Sequence, residues 1–348
     1  MEEIRIYCEN DKEYHKVAKG LRLGQLAEEL CPEGKFLAAL VDNKLKGLDY
    51  DIINPHNVRF IDYSHPDGRR TYIRSLCFVL QNAVRELYPD KILEINYSLP
   101  SGLYCEIREV QSKEDGTDRV YFATDEELAA IKERMQQIID ADLPFRKVKM
   151  NYEEAQRLFT ANRQKGKVNL MNSVKRFTYS VYFLDGKADT FHGPLTVSTG
   201  VLNTFDIIGF NDGFCLQYPM DGSSGKVLPL KRQSKIAKAL EEHSDWCAIM
   251  GVKGVGALNK AVLDGSIVDL INLSEALHER KYAEIANQIY ARRGAIKIVF
   301  IAGPSSSGKT STSKRLAIQC RILGLNPKVI ELDNYFVDRE FTPRDEKG

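Results

Sequence analysis

Apolar positions along this chain follow two different periods. Helical spacing, with apolar residues three and four apart, runs through 21–30 (Leu23, Leu26, Ala27, Leu30) and 74–87 (Leu76, Val79, Leu80, Ala83, Val84, Leu87). It returns behind Thr124-Asp-Glu-Glu127, a capping box, where Leu128, Ile131, Met135 and Ile138 share a face. Asn151, with Glu154 three residues on, opens a further helix bearing Ala155, Leu158 and Phe159. Strand-like runs occupy 4–8, 14–18, 36–41 and 58–61; Asp42-Asn43 and Asn54-Pro55 supply turns, and Pro32-Glu33-Gly34 stops the first helix. Between 177 and 218, short β-branched and aromatic runs are split by Asp185-Gly186, Gly193-Pro194, Gly200 and Asn211-Asp212-Gly213, which predicts an antiparallel sheet. Residues 231–243, 258–263 and 274–293 read as helices, with Ser274 as the N-cap of the last. Residues 296–302 form a continuous apolar run that reads as a buried strand, and 328–333 form a second strand ending in an acid.

These changes of pattern divide the chain into four segments and predict a multidomain α+β and α/β protein. The order β-β-α-β-β over 1–63 fits a β-grasp head. Residues 64–225 form an α+β block, 226–293 a helical connector, and 294–348 the start of a doubly wound α/β sheet. A length of 348 residues suits two or three domains, and an apolar share of 43% excludes whole-chain disorder. Forty-nine Lys and Arg against 48 Asp and Glu leave +1, so no global field draws the chain to nucleic acid or to an anionic membrane. The longest apolar run is far short of the ~20 residues that span a bilayer, and Met-Glu-Glu is not a signal peptide; a cytoplasmic location without membrane contact is expected. The seven cysteines are scattered with no C-x-x-C pair, which predicts buried thiols in a reducing compartment and no zinc.

The sharpest motif is Gly303-Pro304-Ser305-Ser306-Ser307-Gly308-Lys309-Thr310, which satisfies G-x-x-x-x-G-K-[ST] between an apolar run and a helical pattern carrying Leu316, Ala317, Cys320 and Leu323. Backbone N–H groups from Gly303 to Ser311 would cradle the phosphates of ATP, Lys309 would reach the β and γ phosphates, and the Thr310 hydroxyl would bind Mg²⁺. Together with Glu331-Leu-Asp333-Asn-Tyr-Phe336, the motif resembles the uridine kinase and phosphoribulokinase family. That resemblance implies that Asp333 is the general base, with Lys309 as its catalytic partner, and that Tyr335 and Phe336 lie by the nucleoside. The activity it implies is transfer of the ATP γ-phosphoryl to a nucleoside 5′-hydroxyl, or to another small hydroxyl substrate. Residues 294–348 are too few for a five-stranded sheet, a second acidic strand and an Arg-bearing lid. The chain is therefore expected to be the beginning of a longer polypeptide or a shortened form, not itself a competent kinase.

The head resembles the TGS domain of threonyl-tRNA synthetases. Residues 64–225 resemble their editing domain through Ala83-Val-Arg-Glu-Leu-Tyr-Pro89, Ser101-Gly-Leu-Tyr104, 126–135 and His192-Gly-Pro194. In that family an H-x-x-x-H pair on a helix and a Cys and a His around the Gly-Pro turn converge on one site. Here those positions carry Arg74, Phe78, Phe191 and Leu195. Phe and Leu offer no lone pair and Arg stays protonated, so metal binding and hydrolytic editing are not expected. His192 remains as a lone histidine. Lys147, Lys149, Arg157, Arg163, Lys165, Lys167, Lys175 and Arg176, interleaved with Tyr152, Phe159 and Phe177, make 146–177 locally basic. Such a stretch suits either RNA contact or a solvated face. The competing reading of the whole is thus a translation-linked RNA-binding or regulatory protein that uses nucleotide as a switch. A homo-oligomer is left open.

Overall fold

The structure is a computed structural model that describes residues 2–109, 119–220, 225–231 and 234–343. Residues 232–233, at the start of the expected helix 231–243, and 344–348, at the end of the expected α/β segment, lie outside the described residues. The chain divides into two compact units, Met1–Ile249 and Met250–Gly348. Several sheets and helices mix in sequence order, an α+β architecture. Among the described residues no helix is long and apolar enough to cross a membrane.

The first unit begins with a five-stranded mixed sheet. Glu3–Cys8 pairs antiparallel with Glu13–Ala18 and parallel with Asn57–Ile61, which continues through Ala38–Val41 to Lys44–Lys46. Asp42 and Asn43 both adopt positive φ (47° and 61°), which is how a two-residue turn matches the twist of the strands it joins. Helix Leu23–Leu30 lays Leu23, Leu26 and Ala27 on Ile6, Val17, Ile52, Val58 and Phe60.

Helix Pro66–Leu87 follows, starting eight residues before the predicted 74. His65 is its N-cap: Nδ1 accepts the Asp67 N–H at 3.1 Å, and Pro66 occupies the first turn, where its missing N–H costs nothing. The helix leaves the head so closely that a Cβ on Gly68 would stand 1.8 Å from the Asp62 carbonyl oxygen. Its inner face carries Leu76, Phe78, Val79, Leu80, Ala83 and Val84, covered by helix Asp125–Asp140 and by a sheet. That sheet runs Arg119–Tyr121, Gly102–Glu109, Gly213–Gln217, Asp206–Phe210, with Lys91–Leu99 paired to Gly102–Glu109.

The single antiparallel sheet expected over 177–218 is instead shared between two. Thr178–Leu184 and Lys187–Asp189 pair with Arg146–Asn151, whereas Asp206–Phe210 and Gly213–Gln217 join Gly102–Glu109. The cause is the irregular segment between them, which crosses the helix Pro66–Leu87 through Thr196 N–H to Ser75 Oγ at 2.9 Å.

In the second unit, helices Ile267–Ala291 and Lys309–Ile322 pack around Ala286, Leu316 and Cys320, and helix Val255–Asp264 adjoins the first of them. Ser274 lies inside a helix, not at its start. Gly265 turns left-handed (φ 83°) and ends the preceding helix, so the next one begins at Ile267. Residues 296–302 and 328–333 are not strands, and among the described residues the second unit contains no sheet. An apolar run becomes a strand only where a neighbour satisfies its N–H and C=O groups. None is present here, and Ile298 and Phe300 stand 68% and 83% exposed. The expected doubly wound sheet is corrected accordingly.

One carboxylate ties three elements of the first unit. Glu86 accepts from Arg134 Nε of helix Asp125–Asp140 and from Lys187 Nζ of strand Lys187–Asp189, each at 2.5 Å. Burial pushes its carboxyl up, but the hydrogen bonds and charges of Arg134 and Lys187 outweigh this and hold it below the ordinary value. A depressed carboxyl contributes stability above its unfolded pKa and loses it as pH falls through the folded one. Glu86→Gln is expected to lower unfolding free energy by about 1–3 kcal/mol at neutral pH. Urea midpoints of wild type and variant should converge below about pH 4; an equal gap at both pH values would remove the ion cluster from the account.

Candidate functional site

The four positions singled out against the editing resemblance do come together. Arg74 and Phe78 lie one turn apart on the same helix face. Phe191 stands opposite, with its ring 5.3 Å from that of Phe78, and Leu195 joins the same buried cluster. Phe145 stacks on the other side of Phe78 at 5.9 Å, and Tyr182 meets Phe191 edge-on at 6.2 Å. Gly193 needs its φ of 127°, and a Cβ there would lie 2.9 Å from the Arg74 guanidinium carbon. Arg74 closes the floor by donating from Nε to Pro194 O at 3.1 Å and from Nη2 to Thr71 Oγ1 at 2.9 Å, and burial draws its pKa down.

The four positions thus supply hydrocarbon plus one guanidinium already committed to the protein. None of these four side chains carries a lone pair suited to ligating a metal or activating water. His192 is exposed beside them. Among the described residues, the clustered metal-ligating side chains lie outside 64–225.

A second surface of the same unit differs in character. Strand Arg146–Asn151 leaves Lys147 and Lys149 exposed on one face, and Arg157, Arg163 and Lys165 are also exposed. Between helix Lys165–Ser173 and strand Thr178–Leu184, the loop presents Lys175, Arg176 and Phe177, the last 97% exposed. These three line a surface hollow of about 490 Å³ with Asn151, Tyr152 and Glu153. Lys167 departs from the expected basic face. It turns inward to pair with fully buried Asp189, which also lies 3.5 Å from Arg85 Nη2. No sequence spacing announces that cluster, because its partners come from three distant elements. Phe159 is likewise core, fully buried with Ala155, Met171 and Val181.

The Gly303–Ser311 loop is described within the second unit alone. Ser306 (φ 59°) and Gly308 (φ 82°) are both left-handed, curling the backbone ahead of helix Lys309–Ile322. The first helical bond runs from Thr312 N–H to Gly308 O at 2.8 Å, so the amides of Lys309, Thr310 and Ser311 precede the ladder. A Cβ on Gly303 would stand 2.6 Å from Ser307 Oγ. Lys309 Nζ donates to Pro304 O at 2.8 Å, folding across Ser305, Ser306 and Ser307. Asp333 lies exposed in a short 3₁₀ turn, Leu332–Tyr335, reached from the helix by the Lys314–Glu331 pair at 3.9 Å. A hollow of about 490 Å³ beside that turn takes Asn334 and Tyr335 into its lining, but neither Asp333 nor the loop. The structure therefore does not join Lys309 to Asp333.

No family model matches the chain. Among curated proteins it is 26% identical over 208 residues to the threonine–tRNA ligase of Syntrophomonas wolfei, covering 59% of this chain and 31% of the relative. It is 28% identical over 194 residues to that of Rubrobacter xylanophilus, 55% of this chain and 28% of the relative. A probable cytoplasmic threonine–tRNA ligase of Enterocytozoon bieneusi is 25% identical over 192 residues, 55% and 28% of the two chains. The chain thus carries a threonyl-tRNA synthetase-like stretch over more than half its length and spans less than a third of the relatives it matches. These matches overturn the uridine-kinase reading. The similar proteins are named as tRNA ligases, not as nucleoside kinases or other phosphotransferases, and neither a nucleoside nor a small hydroxyl substrate is supported.

Phe78→Ala should remove the ring on which Phe145 and Phe191 both pack. A fall of about 3–5 kcal/mol in unfolding free energy is expected from urea titration; a loss under 1 kcal/mol would mean that the site is loosely packed and open.

Proposed function

We propose that this chain is a translation-linked RNA-binding regulatory protein whose synthetase-like part holds tRNA or a tRNA-like RNA without acting on it chemically. The observation that carries the reading is Phe177, almost wholly in water directly after Lys175 and Arg176 and lining a hollow with them. Burial of a phenylalanine side chain is worth roughly 1.5–3 kcal/mol, so one left out by the fold next to two cations is a platform for an unpaired base whose phosphates the cations can meet. Lys147 and Lys149 extend the cationic surface along the neighbouring strand. Relatives named for tRNA supply the class of RNA. The hydrocarbon floor around Phe78 and Leu195 is the reason the role is binding and not hydrolysis. In this reading 1–63 is a TGS-like head, 64–225 an editing-like domain without the family's ligands and 226–293 a connector, acting in the cytoplasm.

The loop Gly303–Ser311 is proposed to take a nucleoside triphosphate such as ATP as an effector. Its left-handed residues, the uncapped amides of 309–311 and the lysine folded over the loop suit a phosphate chain. Lys309 would exchange the Pro304 carbonyl for phosphate oxygens, and the Thr310 hydroxyl would hold the accompanying Mg²⁺.

Fluorescence anisotropy with labelled tRNA should show affinity falling steeply as salt rises from 50 to 200 mM. Phe177→Ala should weaken binding about 5–150-fold, the equivalent of the ~1–3 kcal/mol typical of one stacked base. Binding indifferent to both salt and Phe177→Ala would sink the RNA reading.

Titration of Mg·ATP should show Lys309→Ala binding at least about tenfold more weakly, the loss expected for a hydrogen bond to a charged group. Saturating nucleotide should shift tRNA affinity, and tRNA should shift nucleotide affinity by the same factor. A triphosphate affinity unchanged in Lys309→Ala would exclude the loop, and an unshifted tRNA affinity would exclude the switch.

A further inference from the structure

We propose that the head carries a site for a thiophilic divalent cation of the zinc class, held by Cys8, Cys31 and Asp11, independently of the RNA and nucleotide readings. Cys8 ends the first strand, Asp11 lies in the turn that follows it, and Cys31 is the C-cap of helix Leu23–Leu30. With Cys31 brought in from the helix end, they place two Sγ atoms and a carboxylate oxygen within 4.8 Å of one another. A tetrahedral zinc with ligands at about 2.0–2.3 Å needs its donor atoms roughly 3.3–3.8 Å apart, a modest tightening of this arrangement.

Three further features hold the donors in readiness. The backbone N–H groups of Asn10 and Asp11 are directed at Cys8 Sγ, as outer hydrogen bonds are at metal-bound sulfur. The Asn10 side chain locks the turn to the neighbouring strand, giving Nδ2–H to Phe60 O at 3.0 Å and taking Phe60 N–H at 2.8 Å; Lys12 completes the turn at φ 66°. His15 Nε2 stands 2.9 Å from Asp11 Oδ2 and fixes the carboxylate. Both cysteines are free thiols. Binding would release their two protons to solvent and form two metal–sulfur bonds and one metal–oxygen bond, leaving the fourth position open on the exposed Asp11 side. The proposal departs at this one place from the expectation of buried thiols and no zinc.

The test is cobalt(II) titration of the full, reduced, chelator-treated chain. A thiolate-to-cobalt charge-transfer band should saturate at one equivalent and be displaced by zinc. Cys31→Ser and Asp11→Asn, at side chains reached by solvent, should each weaken cobalt binding at least about tenfold while far-ultraviolet circular dichroism stays unchanged. Cys247→Ser should leave binding intact. The proposal is overturned if the reduced chain gives no such band, if the band survives both Cys31→Ser and Asp11→Asn, or if it is lost in Cys247→Ser. A Cys8–Cys31 disulfide in the isolated chain that takes up no cobalt after reduction would overturn it equally.

Discussion

A helix with Leu76, Phe78, Val79, Leu80, Ala83 and Val84 all withdrawn from water has to be covered on more than one side, and meeting that demand arranges much of the first unit. Helix Asp125–Asp140 covers part of it, the sheet containing Gly102–Glu109 another part, and strand Thr178–Leu184 a third. The polar residues of the same helix bind what the apolar ones attract. Ser75 accepts the Thr196 amide, Arg74 caps the Pro194 carbonyl, and Glu86 gathers Arg134 and Lys187. The turn at Gly193 therefore sits where it does because the helix supplies both its packing partner and its hydrogen bonds. Any chemistry the site could perform is limited by what that helix places there.

What was legible in the sequence is what is decided locally. Thr124 with Glu127 and Asn151 with Glu154 form the reciprocal caps that their spacing announces, because a capping box closes within four residues. The start of helix Pro66–Leu87 was missed although His65-Pro66-Asp67 spells it, since a histidine cap is a weaker signal than serine or aspartate. The hairpin of Lys91–Leu99 and Gly102–Glu109 was passed over. Its outer strand leaves Ile92 and Ile95 more than a third exposed, which blurs the alternation that marks a strand. The convergence of Arg74, Phe78, Phe191 and Leu195 came from the family resemblance; no spacing rule could have found it. Lys167 reads as a solvent-facing cation from the sequence because its partner, Asp189, comes from another element. Residues 296–302 show the reverse limit: a run apolar enough for a buried strand makes none without a neighbouring edge.

The synthetase-like region holds two surfaces of different character. The cluster around Phe78 is closely packed, while the hollow beside Phe177 has charge and an aromatic surface but little enclosure. On the proposed reading a polynucleotide suits that open surface better than a small molecule does. Its affinity is gathered from many weak phosphate and stacking contacts along an open surface, and it does not depend on burial in a closed pocket.

Gly68 has a further consequence. With a Cβ position only 1.8 Å from the Asp62 carbonyl, the backbone of the head runs directly against the first turn of helix Pro66–Leu87. Tyr63 adds a hydroxyl donated to Pro219 O, and a Cβ on Gly47 would lie 3.2 Å from Pro194 Cβ. These contacts leave little room for the head to bend at the junction without disturbing Pro194, whose carbonyl Arg74 holds.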